Sequence, residues 1–443
     1  FRWLRDSSGL IALAAAPEGA VPKPPALPSS PLIHDHGGSK APTRTYQDLL
    51  KTPHDQDLFA YYLRSQLFVV QLEGEIRPLL ESKLLTQFSL SPEGRHLLVQ
   101  ELLQPFSYQV PYQRFASRTQ VFDLQGQLLQ TVAELPVCES IPPDFAAARP
   151  GRRYVGWRED LQSTLVWLEA LDDGDPHRPA EFRDQLVQQP LGGEPSVLLA
   201  CAGRLEALYW GDGQTAIFQE GWWRNRRRRC WWVRPDGSAP ASLLFDYSSE
   251  DDYQNPGRPL TQADPSGLQL LQRDPESGAV FLVGQGATPE GERPFLDRFH
   301  LDTGKTERLF QSEPPHFETP LRVLSAQRLL TQRETQVEPP NLVMRQLGSD
   351  QARVLTSIEA PLPELTRIRK ELLRYRRQDG VELTATLYLP PEQEGGPLPV
   401  LMWAYPSEFK SASMAGQLRD SACRYVHPNW SGPLFFALHG YAV

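Results

Sequence analysis

The chain has 443 residues, enough for about two to four domains, and its composition of 40% hydrophobic and 22% charged residues is ordinary for a globular protein. A formal net charge of −9 makes the molecule as a whole repel nucleic-acid phosphates, so we expect no nucleic-acid partner. No apolar run approaches the roughly 18 residues needed to span a bilayer, so we expect no membrane partner.

Cysteine usage points to the redox state of the surroundings. The four cysteines are far apart in sequence, with no paired spacing: Cys138, Cys201, Cys230 and Cys423. In a chain of this length we expect such cysteines to be free thiols in a reducing compartment, either the cytoplasm or an organelle stroma.

The first 50 residues predict a strand pair, a connector and one helical turn. Residues 1–16 are strand-like around a turn at residues 5–9, and residues 17–42 are rich in proline, glycine and serine, as in an extended connector. Thr45, followed three residues later by Asp48, has the pattern of a capped helix start. It predicts a helical turn over residues 45–50.

From about residue 60 the sequence repeats one pattern, in which strand-like runs are separated by tight turns that contain glycine. These glycines recur at intervals of about 50 residues: Gly74, Gly126, Gly174, Gly237, Gly304 and Gly348. Such spacing is typical of the blades of a β-propeller, and the 42 prolines and 10 tryptophans also favour short strands over long helices. We predict about five to six blades before residue 360. A pair of β-sandwiches with irregular loops is the alternative.

Residues 222–232, WWRNRRRRCWW, are the most basic segment. Read as a strand, the segment places Arg226 and Arg228 on one face. The segment could bind a nucleic-acid strand whose bases stack on its aromatic rings, its cations could attract an acidic substrate, or its arginines could simply lie on tryptophans at a solvated surface. The net charge argues against nucleic acid and leaves the other two interpretations open.

Two further clusters could suggest a metal. Glu250-Asp251-Asp252 predicts an exposed loop, with a Ca²⁺ site at Asp251 and Asp252 as the alternative. His34 and His36 share one side of an extended segment but have no third ligand nearby in sequence. We therefore expect no bound metal.

Residues 371–406 carry the most informative pattern. Asp379-Gly380 is a pair that adopts positive φ at little cost and predicts a hairpin turn. Residues 381–389 then alternate apolar and polar side chains, as in a half-buried strand, and residues 398–403 form a continuous apolar run that predicts a strand buried on both faces. Pro433 and Gly440 predict the two ends of a short helix, followed by the start of a strand at Tyr441.

These residues resemble the prolyl oligopeptidase family of serine peptidases, in which such a hairpin opens an α/β-hydrolase domain and the next strand ends on a tyrosine. Pro399 to Tyr405 match that strand, and residues 406–410, PSEFK, resemble the glutamyl endopeptidase branch. Segments of the same branch are matched at residues 45–51, 105–115 and 151–184. The resemblance covers nearly the whole chain.

The resemblance implies a mainly β protein in two parts. We expect residues 1–362 to form a β-propeller without its first blades, and residues 363–443 to form the truncated start of an α/β-hydrolase domain. No Gly-x-Ser-x-Gly motif occurs in the sequence, and in this fold the catalytic Ser, Asp and His follow the strand that begins at Tyr441. We therefore expect a fragment that lacks the triad and is inactive alone.

The resemblance also implies a function for the parent protein, the longer protein from which we expect the chain to come. That protein would hydrolyse peptides after Glu through an acyl-enzyme, with the propeller restricting access and no cofactor required. Tyr405 would donate its hydroxyl to the oxyanion, and Arg226 and Arg228 are candidates to bind a substrate carboxylate. The alternatives are a non-catalytic propeller that binds peptides or proteins, and an esterase on the same scaffold.

Overall fold

A computed structural model describes residues 1–16, 18–26, 46–392, 395–404, 407–427 and 432–443. Most of the secondary structure in these residues is β-strand. Twenty-four strands form six four-stranded antiparallel sheets, which we call blades 1 to 6 in chain order. Each blade is a meander, because its strands pair in sequence order. Among the described residues no helix is both long and apolar enough to cross a bilayer.

The first three blades contain twelve strands. Blade 1 is formed by β1 (Arg2–Trp3), β2 (Gly9–Ala15), β3 (Ser65–Gln71) and β4 (Ile76–Pro78). Blade 2 is formed by β5 (Leu85–Leu90), β6 (His96–Leu102), β7 (Ser117–Asp123) and β8 (Leu128–Leu135). Blade 3 is formed by β9 (Arg153–Trp157), β10 (Thr164–Ala170), β11 (Asp184–Pro190) and β12 (Ser196–Cys201).

The last three blades contain two inserted hairpins. Blade 4 is formed by β13 (Arg204–Asp212), β14 (Thr215–Trp222), β15 (Arg227–Val233) and β16 (Ser242–Ser248). Blade 5 is formed by β17 (Arg258–Pro259), β20 (Val280–Gly284), β23 (Phe295–Phe299) and β24 (Thr306–Gln311). Its inserted hairpins are β18 (Thr261–Ala263) with β19 (Gln269–Leu271), and β21 (Ala287–Thr288) with β22 (Gly291–Glu292). Blade 6 is formed by β25 (Phe317–Ser325), β26 (Arg328–Glu334), β27 (Asn341–Gln346) and β28 (Ala352–Val354).

Each blade buries its faces against its neighbours in the chain. Trp167 of blade 3 is 1% exposed and packs with Leu98 and Val121 of blade 2. Similar mixed clusters join each of the other consecutive pairs. Because one sheet cannot bury both of its faces alone, stacking between neighbours supplies the core. The prediction of a mainly β protein with a partial β-propeller is confirmed, and the six blades lie within the predicted number.

The glycine turns explain the spacing seen in the sequence. Five of the six predicted glycines lie in the turn between the third and fourth strands of a blade, each with positive φ: Gly74, Gly126, Gly237, Gly304 and Gly348. Gly174 instead lies between the second and third strands of blade 3, and Gly192 takes the equivalent position in that blade. The repeat is therefore structural, although one of its six positions was assigned wrongly.

The predicted helical turn at residues 45–50 is wrong. Residues 46–50 are not helical, and Thr45 lies outside the described residues. Helix α1 (Pro53–Leu63) begins after Thr52, whose hydroxyl accepts a hydrogen bond from the Asp55 backbone while the Asp55 carboxylate accepts one from the Thr52 backbone. The capping chemistry was the expected one, but Pro53 at the first helical position selects the later start.

The hairpin β18–β19 of blade 5 extends towards the opposite blades. Arg5 of blade 1 donates from Nη1 to the Ser266 carbonyl in the hairpin turn, and the same side chain packs on Gly94 of blade 2. Asp264 of the hairpin lies close enough to Glu159 of blade 3 to help raise the pKa of that carboxyl, which burial raises most. The hairpin therefore connects blade 5 with blades 1, 2 and 3. It lies on the side of the propeller where the first and second strands of each blade are joined.

The C-terminal part, residues 363–443, begins with a 3-10 helix (Pro363–Arg367) and the predicted hairpin, β29 (Arg369–Arg376) with β30 (Glu382–Leu389). A short helix α2 (Ala412–Ala415) and a 3-10 helix (Pro433–His439) follow. Gly440 adopts the left-handed conformation that was expected at the end of the latter helix. Residues 441–443 lie between two neighbours: Val443 pairs with Tyr388, and Ala442 forms a parallel bridge with Val400.

The predicted buried strand at residues 398–403 is wrong. Among the described residues it is reduced to one bridge, and Val400, Met402 and Trp403 are 64%, 86% and 71% exposed. The apolar run is paired on one edge among the described residues, and only Leu398 and Leu401 are partly buried. The parallel bridge nevertheless agrees with the expected opening of an α/β-hydrolase sheet.

Candidate functional site

The C-terminal part rests on the loops of blades 4, 5 and 6 at one side of the propeller. The contacts come from the connection after blade 4 at residues 250–253, from the hairpin β21–β22, and from the end of β26. These loops contact residues 408–427, which follow Tyr405 closely in sequence. This interface is where the two parts of the chain could form a site together.

Glu250 is the centre of the first contact. Its carboxylate accepts hydrogen bonds from Arg226 Nε at 2.9 Å and from the backbone nitrogen of Lys410 at 2.9 and 3.1 Å. The backbone nitrogen of Ser411 donates to the same carboxylate at 3.3 Å, and Arg226 Nη2 donates to the Glu408 carbonyl at 3.1 Å. Arg226 and Glu250 are both buried, so this ion pair fixes the backbone of residues 408–411 in a nearly water-free setting.

The neighbouring acidic residues bind the same segment. Gln417 donates to the Asp251 carboxylate at 2.7 Å, Arg419 donates to the Asp252 carboxylate, and the backbone nitrogen of Leu418 donates to the Tyr253 hydroxyl at 2.9 Å. The predicted exposed acidic loop is therefore wrong. Its carboxylates are held by side chains that lie about 165 residues away in sequence, and no sequence pattern signals such pairing.

A second contact buries a weakly paired carboxyl group, that of Glu292, whose Oε2 lies 4.0 Å from Arg424 Nη1. Glu292 of β22 is largely buried, and its Oε2 has no hydrogen-bond partner among the described residues. Burial raises the pKa of Glu292, and the nearby Asp420 and Asp252 act in the same direction, while Arg424 and Lys370 oppose them. Asp420 itself is held by Lys370, whose Nζ donates to it at 2.8 Å.

Arg228 lines a cavity of about 390 Å³ where blades 4, 5 and 6 meet. Its Nε donates to Glu206 at 2.8 Å, and Gln219 donates to the same carboxylate at 2.9 Å. A second cation in the wall is Arg258, an exposed residue at the start of blade 5. Tyr209 and Tyr247 also line the cavity. Burial raises the pKa of both phenols, that of Tyr247 to about 12, so their hydroxyls stay protonated and can donate hydrogen bonds.

The structure separates the two arginines that the sequence placed on one strand face. Arg226 precedes β15, with φ of 58° in the turn after β14, so the shared strand face is wrong for this residue. The Asn225 side chain accepts from the Arg227 backbone at 3.0 Å and stabilises this turn. The Arg226 guanidinium stacks over Trp223 with 3.4 Å to the ring centroid, as one of the alternative interpretations expected. Arg228 alone of the two faces the cavity.

Other candidates from the sequence fall elsewhere. Tyr405, His34 and His36 lie outside the described residues. The four cysteines are free thiols, as predicted. The sequence did not indicate the roles of Glu250, Glu206 and Arg258, because the fold, and no local motif, brings the first two to their partners and the third to the cavity wall.

Relatives match this chain from end to end. A probable chloroplastic glutamyl endopeptidase of Oryza sativa subsp. japonica is 34% identical over 466 aligned residues, which cover 100% of this chain and 50% of the relative. A probable chloroplastic glutamyl endopeptidase of Arabidopsis thaliana is 35% identical over 468 residues, covering 100% of this chain and 48% of the relative. The chain thus spans about half the length of the curated relatives it matches.

The fold is also shared with a solved structure. The crystal structure of a putative dipeptidyl aminopeptidase IV from Bacteroides ovatus superimposes on 85% of this chain and 56% of that chain, with a TM-score of 0.51 and 12% identity. At this identity the likeness supports the fold alone. No protein-family model matches the chain.

Proposed function

Because the chain belongs to the prolyl oligopeptidase family of serine peptidases, on its glutamyl endopeptidase branch, we propose that it provides the propeller and the opening strands of a peptide-hydrolysing enzyme. The reaction would proceed through an acyl-enzyme, with a preference for cleavage after Glu. The observation that carries this proposal is the match of the entire chain to two relatives described as probable glutamyl endopeptidases.

In this proposal the nucleophile and its partners belong to a longer protein that contains the chain. The support is that the chain spans about half of its relatives and that its sequence has no Gly-x-Ser-x-Gly motif. The 443 residues by themselves are then inactive. We call the longer protein the full-length enzyme below.

Tyr405 is proposed to contribute the hydroxyl that stabilises the oxyanion. It follows the apolar run of residues 398–403, and residues 408–411, which come shortly after it, are fixed to the propeller through Arg226 and Glu250. An oxyanion donor must be held about 3 Å from the developing charge. Because residues 408–411 are fixed so soon after Tyr405 in sequence, they would help to hold its hydroxyl in place.

The propeller is proposed to restrict access of substrates, which are short or unfolded peptides. The hairpin β18–β19 supports this role, because its contact with Arg5 crosses between blades on the side away from the C-terminal part. Peptides would then enter between the propeller and the hydrolase domain. The chloroplastic relatives and the four free thiols favour an organelle stroma as the compartment.

For the carboxylate of a Glu side chain, Arg226 and Arg228 are proposed to act differently. Arg228 faces the cavity and would bind the substrate, whereas Arg226 is buried in its pair with Glu250 and would act by positioning residues 408–411. No cofactor is part of this proposal.

The test compares the 443-residue chain with the full-length enzyme. We expect the full-length enzyme to react with a fluorophosphonate probe and to cleave a fluorogenic peptide after Glu faster than its Gln analogue. The chain alone should do neither. Tyr405→Phe in the full-length enzyme should lower kcat by about 100-fold or more with little change in KM.

Two outcomes would contradict the proposal. Probe labelling of the chain alone would place the nucleophile within these residues. A full-length protein that binds peptides but is neither labelled nor hydrolytic would instead support the non-catalytic peptide-binding propeller.

A further inference from the structure

We propose that the cavity between blades 4, 5 and 6 is a binding site for a carboxylate of a peptide, with Arg258 as its principal cation. The inference rests on the proposed function for its ligand, since a peptide is what such an enzyme would receive. The site itself is argued from the cavity alone. The carboxylate could be that of an Asp or Glu side chain, or that of a peptide C-terminus.

The charge of the cavity wall is the first argument. Among the described residues that line it, none is acidic, and the two charged ones are Arg228 and Arg258. Glu206 lies behind Arg228 and accepts from its Nε, so that cation is largely neutralised. Arg258 has no ion pair or side-chain hydrogen bond among the described residues. The cavity therefore presents about one net positive charge, which a single carboxylate would neutralise.

The hydrogen-bond donors around the cations are the second argument. Tyr209, Tyr247, Gln219 and Gln285, whose side chains carry hydroxyl or amide donors, line the same cavity. Because Glu206 binds both Arg228 and Gln219, these two side chains are oriented before any ligand arrives. Oriented donors beside the unpaired Arg258 suit a carboxylate, which accepts several hydrogen bonds at once.

The size and the apolar surface of the cavity are the third argument. Its volume of about 390 Å³ is within the range of about 300–1,000 Å³ that is typical of ligand cavities. Val283 and Pro320 line it, and the apolar core shared by blades 4 and 5 lies beneath it, with Leu282 and Phe299. A peptide could place methylene groups on this surface while its carboxylate reaches the arginines.

The position of the cavity makes it accessible to a substrate. Arg228 is two residues after Arg226, which contacts Glu408 in the C-terminal part, so the cavity wall and the interface are adjacent along the chain. A peptide that enters between the two parts would pass the cavity. Its carboxylate could be held there while another peptide bond lies at the proposed catalytic centre.

The experiment measures binding, not hydrolysis, with three matched hexapeptides. One is acetylated and amidated with a single Glu, the second carries Gln in its place, and the third is the Gln peptide with a free C-terminal carboxylate. Isothermal titration calorimetry with the 443-residue chain gives each Kd. We expect the Glu peptide, the free-carboxylate peptide or both to bind about tenfold more tightly than the blocked Gln peptide. Which of the two does so identifies the source of the carboxylate.

Variants locate the effect. Arg258→Gln should abolish the preference, and Arg258→Lys should retain part of it, because the charge remains without the guanidinium geometry. Arg353→Gln is the matched control, since Arg353 is an exposed arginine on the outer strand β28 with no ion pair among the described residues. It should leave all three Kd values unchanged. Thermal unfolding confirms that each variant is folded.

Equal binding of the three peptides would overturn the proposal. So would the absence of measurable binding, or a preference that survives in Arg258→Gln. The cavity site and the proposed function can fail separately. If the full-length enzyme hydrolyses peptides but Arg258→Gln does not change which peptides bind, only the cavity site is refuted. If the full-length protein is inactive but its cavity still prefers peptides with a carboxylate, only the proposed hydrolase activity is refuted.

Discussion

At the scale of single residues, the molecule uses buried charges to join its two parts. Arg226 and Glu250 are 5% and 7% exposed, and the pair carries no water-exposed face with which to recover its hydration. Burying an ion pair is costly, and the cost is offset only when further hydrogen bonds complete it. The backbone groups of Glu408, Lys410 and Ser411 provide most of those hydrogen bonds, and only Nη1 of Arg226 lacks a partner among the described residues.

We predict that Glu250→Gln destabilises the interface. Removing one charge of a buried pair leaves the other unpaired, which costs about 3 kcal/mol or more. Urea unfolding should show this loss, and limited proteolysis should cut residues 407–419 faster than in the wild type. Glu307→Gln, which removes the exposed partner of Arg298, is the control and should cost less than about 1 kcal/mol. Equal losses in the two variants would show that Glu250 is only a surface charge.

A second prediction concerns pH. Burial raises the pKa of Glu292 above its ordinary value of 4.5, so the folded state holds that proton more tightly than the unfolded state does. The ionised group therefore lowers stability at pH values above the raised pKa, and this cost disappears below pH 4.5. Glu292→Gln should be more stable than the wild type near neutral pH.

The pH series also supplies its own check. The stability difference between Glu292→Gln and the wild type should shrink as the pH falls through the raised pKa, and it should vanish at about pH 4. Glu371→Gln, at a carboxyl that is 43% exposed, should show no such trend in denaturation curves. A constant difference across the pH range would mean that the substitution acts through packing.

At the scale of elements, turns determine where the chain reverses and which blades meet. The hairpin β18–β19 is closed by Asp264, whose Oδ1 accepts from the backbone nitrogens of Ser266 at 2.8 Å and Leu268 at 2.9 Å. The turn of blade 4 at Asp236 uses the same chemistry, since its Oδ1 accepts from the Ser238 nitrogen at 3.0 Å. The first of these turns contacts blade 1 through a hydrogen bond from Arg5, whereas the second reaches blade 5 through a longer ion pair, 3.9 Å between Arg234 and the exposed Asp302.

We predict that Asp264→Ala increases backbone mobility in a second blade, whereas Asp236→Ala increases it only near the substituted turn. Each should weaken its own turn by about 1 kcal/mol, because a local hydrogen-bond acceptor is lost. Hydrogen–deuterium exchange should rise at residues 264–268 and also at residues 4–9 for Asp264→Ala, but only within the local turn for Asp236→Ala. Unchanged exchange at residues 4–9 would mean that the hairpin does not hold blade 1.

At the scale of the whole molecule, the two parts have separate cores. Leu365, Ile368, Val426, Leu434 and Ala437 form a cluster within the C-terminal part, and each propeller cluster between consecutive blades draws on those blades. The described contacts between the two parts are made chiefly by charged side chains. The propeller therefore should not need the C-terminal part in order to fold.

We predict that a shortened chain, residues 1–362, stays folded, with a Tm within a few degrees of that of the 443-residue chain and at least its soluble yield. A chain of residues 1–327 is the control, because it loses β26 to β28 and uncovers Leu296 and Val323 of blades 5 and 6. That chain should aggregate. If residues 1–362 also aggregate, the boundary near residue 362 is misplaced.

The sequence by itself determined the elements that depend on near neighbours. The hairpin at Asp379-Gly380, the glycine turns and the 3-10 helix between Pro433 and Gly440 are all predictable, because backbone conformation and local hydrogen bonds select them within a few residues. The number of blades followed from the repetition of one such turn. The helix start was displaced from residue 45 to Pro53 because two segments offered similar caps.

Only the tertiary structure decided which groups the charged side chains meet. The Glu250 carboxylate meets the backbone nitrogen of Lys410, Asp252 meets Arg419, and Arg228 lies beside Arg258 in the cavity wall; the members of each pair are between 30 and 167 residues apart. Electrostatic attraction and burial act through space and leave no spacing in the chain. For the same reason the apolar run at residues 398–403 misled the prediction: burial depends on the neighbours a strand finds, and this one finds a partner only at Ala442 among the described residues.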